Sequence, residues 1–395
     1  MKEWQELPLS EVVELIGGGT PKTSVTEYWN GDIPWLSVVD FNTGRKYVTD
    51  TEKKITNAGL TNSSTKMLNA GDIILSARGT VGAIAVLSKP MTFNQSCYGL
   101  RGVANKSETA FIYYLVKDAV AGLQQISHGG VFDTITKDTF KDIALPIPPI
   151  EEQKAIASVL SSLDDKIDLL HRQNTTLERM AETLFRQWFV EESQENWEEC
   201  TLNDLISVKG GTTPSTKELS FWNGNVNWTS PRDLSNQQSV FMFDTERKIT
   251  EKGLAQIGSG LLPLGTVLMS SRAPIGYLAI TDIPVAINQG YIAIVCDKLV
   301  SNYFMYLWCK VNMERIKNSG NGSTFEEISK SNFKALLAVI PPKQVLENFH
   351  QKVEPIFRKV KCNQQQIKTL EKLRESLLPK LMSGEVTVEL GEINE

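Results

Sequence analysis

Apolar and polar positions alternate along this chain in two styles, and the pair of styles occurs twice. Residues 1–149 and 195–342 carry short apolar runs broken by Gly, Pro, Asn and Ser. Ile33-Pro34-Trp35-Leu36-Ser37-Val38-Val39, Asp72-Ile73-Ile74-Leu75-Ser76 and Ala83-Ile84-Ala85-Val86-Leu87, with the counterpart Tyr277-Leu278-Ala279-Ile280, predict strands. Helical spacing predicts helices over 108–126 and 301–317. Strands and helices interleave irregularly, so the expected fold class is a mixed α/β (α+β) globule in two tandem copies, not a doubly wound sheet.

After each Pro-Pro pair the period lengthens. Ile156, Leu160, Leu163, Ile167, Leu170, Asn174, Leu177, Ala181, Leu184 and Trp188 follow one another in alternating steps of four and three, the seam of a coiled coil. Glu151-Glu152 complement the positive end of the helix dipole. Adding 193 gives a weaker seam: Phe349, Val353, Ile356, Val360, Asn363, Ile367, Leu370, Arg374, Leu377, Leu381. Arg374 interrupts it, and Pro355 is expected to kink or delay this helix.

The same offset relates much of the chain. Trp4 returns as Trp197, Trp29-Asn30-Gly31 as Trp222-Asn223-Gly224, Trp35 as Trp228 and Pro148-Pro149 as Pro341-Pro342, all 193 residues on. Asp50-Thr51-Glu52-Lys53-Lys54-Ile55-Thr56 returns as Asp244-Thr245-Glu246-Arg247-Lys248-Ile249-Thr250 after a one-residue shift. The chain is therefore a tandem duplication. It is read as a globule at 1–149, a helix at 150–190, a second globule at 195–342, a second helix at 343–384 and a tail at 385–395.

The polar seam residues predict how the helices pair. In a parallel arrangement Asn174 meets Ile367, burying an unpaired amide at about 1–3 kcal/mol. Antiparallel helices with a pseudo-two-fold near residue 172 set Asn174 against Asn363, Leu163 against Arg374 and Ile156 against Leu381. An intramolecular antiparallel coiled coil is expected, with the Asn pair as its register device. Such a stalk, about 50 Å long at ~1.5 Å per residue, would hold two similar but unequal heads at opposite ends. That suits duplex DNA, which offers half-sites about 34 Å apart.

Composition narrows the chemistry. With 41 Lys+Arg against 46 Asp+Glu, the net charge of −5 weakens any claim that the chain grips DNA alone. Neither head is basic overall, so partners are expected to supply much of the phosphate neutralisation. No apolar run reaches a membrane span and the N-terminus carries no export signal. Five scattered cysteines and three histidines form no CxxC and no zinc spacing, which suits a reducing cytoplasm. Gly17-Gly18-Gly19-Thr20-Pro21-Lys22-Thr23 fails the P-loop spacing, and no Asn-Pro-Pro-Tyr/Phe methyltransferase motif occurs. The expectation is a reader without catalysis, metal or cofactor of its own. A two-headed scaffold gripping polypeptides is the alternative; a tandem enzyme finds no motif.

Pro146-Ile147-Pro148-Pro149-Ile150-Glu151-Glu152-Gln153-Lys154-Ala155-Ile156-Ala157, running into Leu163-Asp164-Asp165-Lys166-Ile167, resembles the proximal conserved region of Type I restriction–modification specificity subunits. Leu377-Leu378-Pro379-Lys380-Leu381-Met382-Ser383-Gly384-Glu385-Val386 resembles the end of their distal region. Gly18-Gly19-Thr20-Pro21, Trp29-Asn30-Gly31 and Asn94-Gln95 resemble their target-recognition domains. Lys343-Gln344-Val345 after the second Pro-Pro departs from the usual Glu-Gln. The resemblance covers essentially the whole chain. It implies a double-stranded DNA-recognition subunit, each head reading half of a bipartite target, with helices that dock two modification (methyltransferase) subunits. Restriction subunits would join in the nuclease form. S-adenosylmethionine, ATP and Mg would then belong to those partners.

Candidate DNA-contacting residues lie in five places. The Gly-rich segments offer Thr20, Lys22 and Thr23, and Thr213, Ser215 and Lys217, on backbone that glycine lets approach a phosphate. Arg78 with Thr80, and Arg272, sit on tight turns between apolar strands, fit either to contact a guanine or phosphate or to brace the turn through a carboxylate. Asn94-Gln95 and Asn288-Gln289 suit adenine edges, or equally a locked loop; their presence in both copies favours the second. Unequal half-sites need unequal readers, so divergent loops are the best base-reading candidates: Arg45 and Lys46 in one head, Arg232, Asn236 and Gln237 in the other, and Gly129-Gly130 against Asn321 and Ser323. Solvent loops free to vary are the ordinary alternative. Trp29, Trp35, Trp222 and Trp228 read as core or groove walls, and Lys53-Lys54 and Arg247-Lys248 as phosphate contacts that carry no sequence information.

Overall fold

A computed structural model describes residues 4–126, 134–194, 196–235, 239–320 and 327–388. The chain forms two units, Met1–Leu169 with Ile367–Glu395, and Leu170–Gln366. Each contains one globule and a stretch of both long helices, which run Ile150–Arg186 and Lys343–Met382 and begin directly after the Pro-Pro pairs.

The first unit is built on a five-stranded sheet in the order Val13–Gly17, Cys97–Gly102, Ile73–Ser76, Ile84–Leu87, Tyr47–Val48. Ile73, Leu75, Leu100 and Val86 share one core with Phe111, Ile112 and Leu115 of the helix Thr109–Ile126. The second unit repeats the sheet: Ser207–Lys209, Tyr291–Val295, Val267–Ser271, Ile275–Thr281, Phe241–Met242. Beside each sheet lies a smaller one holding the recurrent tryptophans, on Trp29–Leu36 and Trp222–Thr229.

Three local expectations differ from the outcome. Val38-Val39 leave the strand because Ser37 and Asp40 form a capping box that starts a helical turn, Val38–Phe41. The helix expected over 301–317 splits into Asn302–Val311 and Met313–Asn318 at Asn312, whose side-chain amide bonds back to the Trp308 carbonyl. Pro355 neither breaks nor delays its helix, which runs as one element from Lys343 to Met382. Its neighbours Val353 and Phe357 are buried in the second core, and that packing outweighs one missing backbone donor.

The repeated Thr of the Lys/Arg-Lys-Ile-Thr motif is a cap in both units. Thr56 Oγ1 accepts from Gly59 N at 3.1 Å and Thr250 Oγ1 from Gly253 N at 3.2 Å. Thr250→Ala is expected to cost about 1 kcal/mol, read as a lower urea midpoint with unchanged slope; no shift would mean the cap carries no stability.

The two helices pair antiparallel within each unit. In the first, Ile156, Ala157 and Leu160 share a core with Leu378, Leu381 and Met382, and further along Asp164 Oδ1 meets Arg374 Nη1 at 2.5 Å. Tyr114 donates its hydroxyl to the other carboxylate oxygen at 2.7 Å. Arg374, the flaw in the seam, is thus an ion-paired residue, and its partner is Asp164 rather than the expected Leu163. In the second unit Asn363 Nδ2 donates to Asn174 Oδ1 at 2.9 Å, with both residues buried. Beyond them Phe185 lies 5.9 Å from Phe349, ring centre to ring centre.

Candidate nucleic-acid interface

Strand register brings separate sequence motifs together. In the first unit Gly17 pairs with Tyr98, Ser76 with Cys97 and Leu75 with Ile84. Three connections therefore emerge at one end of one sheet: 18–25, 77–83 and 94–96. Backbone bonds tie them, Gly19 N to Phe93 O at 3.0 Å and Ala77 N to Ser96 O at 2.9 Å. A fourth segment joins through Ile135 N to Ala77 O at 2.9 Å. The second unit repeats the arrangement: Lys209 pairs with Ala293, Ser270 with Tyr291 and Ser271 with Ile275. There Thr212 N bonds Ile287 O at 3.0 Å, Ser271 N bonds Gly290 O at 2.8 Å and Ile328 N bonds Ser271 O at 3.0 Å.

Side chains finish the platform. Thr20 Oγ1 donates to Gln95 Oε1, and Thr213 Oγ1 to Gln289 Oε1 at 2.7 Å, joining the Gly-rich segment to the Asn-Gln turn in both units. Each glutamine is exposed and keeps its amide NH2 as a donor. Asn94 and Asn288 instead lock their turns, accepting from Ser96 N at 3.0 Å and Gly290 N at 2.9 Å. Lys22, Thr23, Ser215 and Lys217 are exposed.

The tryptophans are scaffolding for this loop. Trp35 Nε1 donates to Gly19 O at 3.0 Å and Trp29 Nε1 to Lys22 O at 3.2 Å; Trp228 and Trp222 do the same for Thr212 O (3.3 Å) and Ser215 O (3.0 Å). The indoles of each pair meet edge to face at 5.2 and 5.1 Å. The glycines serve packing beneath the loop more than approach to a phosphate. A Cβ on Gly18 would lie 2.2 Å from Asn94 O, and one on Gly211 only 1.8 Å from Ile287 O.

The arginine turns differ between units. Arg78 is exposed, pairs by backbone with Thr134, precedes Gly79 at φ +78°, and makes no ion pair among the described residues. Thr80 is exposed, its carbonyl accepting from Ser76 Oγ. Arg272 is engaged by Glu327 at 3.7 Å, the bracing role. Arg232 is exposed with Glu246 at 3.8 Å. Gly129, Gly130, Asn236, Gln237, Asn321 and Ser323 lie outside the described residues.

Lys46 is not presented on an exposed loop, as a base-reading side chain would need to be. It is buried against the first long helix, its ammonium 2.9 Å from Ser161 Oγ and 3.7 Å from Asp165, beside the Tyr47 and Tyr114 rings. Burial pushes its pKa down, and Asp165 and Asp164 pull it back. Arg45, half-buried on the same loop, bonds its N–H to Thr43 Oγ1 at 3.3 Å. The end of this divergent loop anchors the globule to the helix. Arg247 is an exposed cation whose guanidinium carbon lies 3.6 Å from the centre of a Trp222 ring. No group of three or more His, Cys, Asp or Glu among the described residues is placed to hold a metal, and no described helix is long and apolar enough to cross a membrane.

The family model described as the Type I restriction modification DNA specificity domain matches residues 1–179 and again 194–372. The chain belongs to that family. Membership makes DNA specificity its role, and a specificity component is not a catalyst. Among curated members, the Type I restriction enzyme MjaIX specificity subunit of Methanocaldococcus jannaschii is 30% identical, over 98% of this chain and 94% of its own. The HindI specificity subunit of Haemophilus influenzae is 26% identical over 66% and 72%. A crystal structure of the Type-I restriction-modification system S subunit from M. genitalium shares the fold, with a TM-score of 0.58 over 96% of both chains at 16% identity.

Proposed function

We propose that this chain reads a two-part DNA sequence for a type I restriction–modification complex, one part with each duplicated globule. The long helices set the spacer and dock two modification subunits; restriction subunits join in the nuclease form. S-adenosylmethionine, ATP and Mg are held by those partners, and the complex works on the genome in the cytoplasm. What carries the reading is the recurrence of one loop platform at the same sheet end in both units, Thr20–Gln95 and Thr213–Gln289, furnished with different neighbouring side chains. Shared geometry with unequal chemistry is what two unequal half-sites require. The candidate contacts are Thr20, Lys22, Thr23, Arg78, Thr80 and Gln95 in one unit and Thr213, Ser215, Lys217, Arg232 and Gln289 in the other.

The test exchanges residues 1–149 for the equivalent globule of another family member, in a host carrying the modification subunits. Genome-wide methylation mapping is expected to show one half of the target replaced and the other intact. Replacement of both halves, or of neither, would sink the modular reading.

A further inference from the structure

We propose that Arg247 determines specificity in the second unit, its guanidinium reading a guanine edge in that unit's part of the target; this rests on the DNA-reading role proposed above. Arg247 opens the strand Arg247–Ile249, directly opposite Trp228. Across the same small sheet Trp228 pairs with Ala286, which leads into the Asn288–Gln289 turn. The guanidinium carbon lies 3.6 Å from the Trp222 ring centre and 5.5 Å from that of Trp228. Both indoles are buried, and their N–H groups are spent on the carbonyls of Ser215 and Thr212. The cation therefore rests on a floor fastened to the loop that carries Thr213, Ser215 and Lys217.

Stacking occupies the face of a guanidinium and leaves its N–H donors, which lie in its plane around the edge, unused. Nearby carboxylates have other duties: Glu246 lies beside Arg232 at 3.8 Å, Asp244 beside Lys248 at 3.1 Å, and Asp233 accepts from Ser230 N at 2.8 Å and Glu246 N at 2.9 Å. None among the described residues pairs with Arg247. An exposed, pre-oriented planar fork fits the paired O6 and N7 acceptors of guanine. The first unit places Lys53 at the equivalent strand position, opposite Trp35, with no cation stacked on its tryptophan pair among the described residues. An ammonium is a point charge suited to phosphate, not to a two-acceptor edge. One backbone position thus carries different chemistry in the two heads, as unequal half-sites demand.

The test uses the full chain with its modification subunits. The decisive variant is Arg247→Lys, because lysine already occupies this strand position in the other unit; a wild-type melting temperature for the variant establishes its fold. The expected result is methylation that relaxes at a single guanine in one half of the target by about tenfold or more, with the other half unchanged. An unaltered target, or a uniform loss at every site together with a salt slope lower by about one, would mean phosphate contact only and overturn the inference. So would a second half-target containing no G·C pair. Each of those results leaves the DNA-reading role standing, whereas wild-type complex that methylates no defined sequence removes the role itself.

Discussion

Asp164→Ala is expected to destabilise the first unit by about 3–5 kcal/mol. The carboxylate is 2% exposed and faces an Arg374 side chain 10% exposed, with Tyr114 as its second partner. Removing it leaves the guanidinium only the exposed Glu375 at 3.8 Å, in a site that already holds the half-buried Lys117, whose pKa is lowered first by burial and then by Arg374 itself. Water cannot replace the lost partner at so little exposure. Double replacement, Asp164→Leu with Arg374→Met, removes both charges and is expected to regain most of the loss, since a buried ion pair adds little over apolar residues of similar size. Urea unfolding of the two single variants and the double variant measures this directly. Single variants no worse than the double would show that the pair is solvated and does not fix the helices.

Gly211→Ala is expected to disable reading by the second unit. The new methyl would meet Ile287 O at 1.8 Å, Ile287 C at 2.3 Å and Asn288 O at 2.6 Å, all backbone, so no side-chain rotation relieves the clash. Either the Gly-rich loop lifts or the Asn288–Gln289 turn retreats, and the Thr213–Gln289 bond breaks in both cases. Overpacking of this kind costs about 1–3 kcal/mol, and each 1.4 kcal/mol taken from binding is about tenfold in affinity. Gly17→Ala is the control, with nothing within 4 Å of its added carbon, and should stay within about 0.5 kcal/mol of wild type. Methylation rates on a fixed target, together with melting temperatures, separate the two. Equal activity for both variants would detach the loop from recognition.

The duplication and both long helices were legible because they rest on spacing alone. The Asn174–Asn363 bond followed from the same arithmetic, since a buried amide without a partner restricts which registers are tolerable. Arg374 was misjudged because a seam read at 3.5 residues drifts from a helix of 3.6. Asp164, one position beyond Leu163, faces both the other helix and Tyr114 of the globule. Lys46 reads as a base-contact candidate on sequence because its burial depends on a helix over a hundred residues downstream. The meeting of Thr20 with Gln95 likewise needed strand pairing, which no local pattern specifies. The stacked Arg247 was discounted because it lies in a shared motif, although arginine and lysine there are not equivalent.

The polar pairs along the seam are not copies of each other. Shifted by the repeat distance, Asp164 falls on Phe357, Arg374 on Ala181, Asn174 on Ile367 and Asn363 on Leu170. Were the first long helix to zip against its twin from another molecule in this register, Asp164 would face Ala181 in place of its arginine, and Asn174 would face Leu170 in place of an amide. The second helix against its own twin would maroon Arg374 on Phe357 in the same way. Kinship between the halves therefore stops short of self-recognition: each long helix discriminates against its own likeness and is directed to the other helix of the duplication.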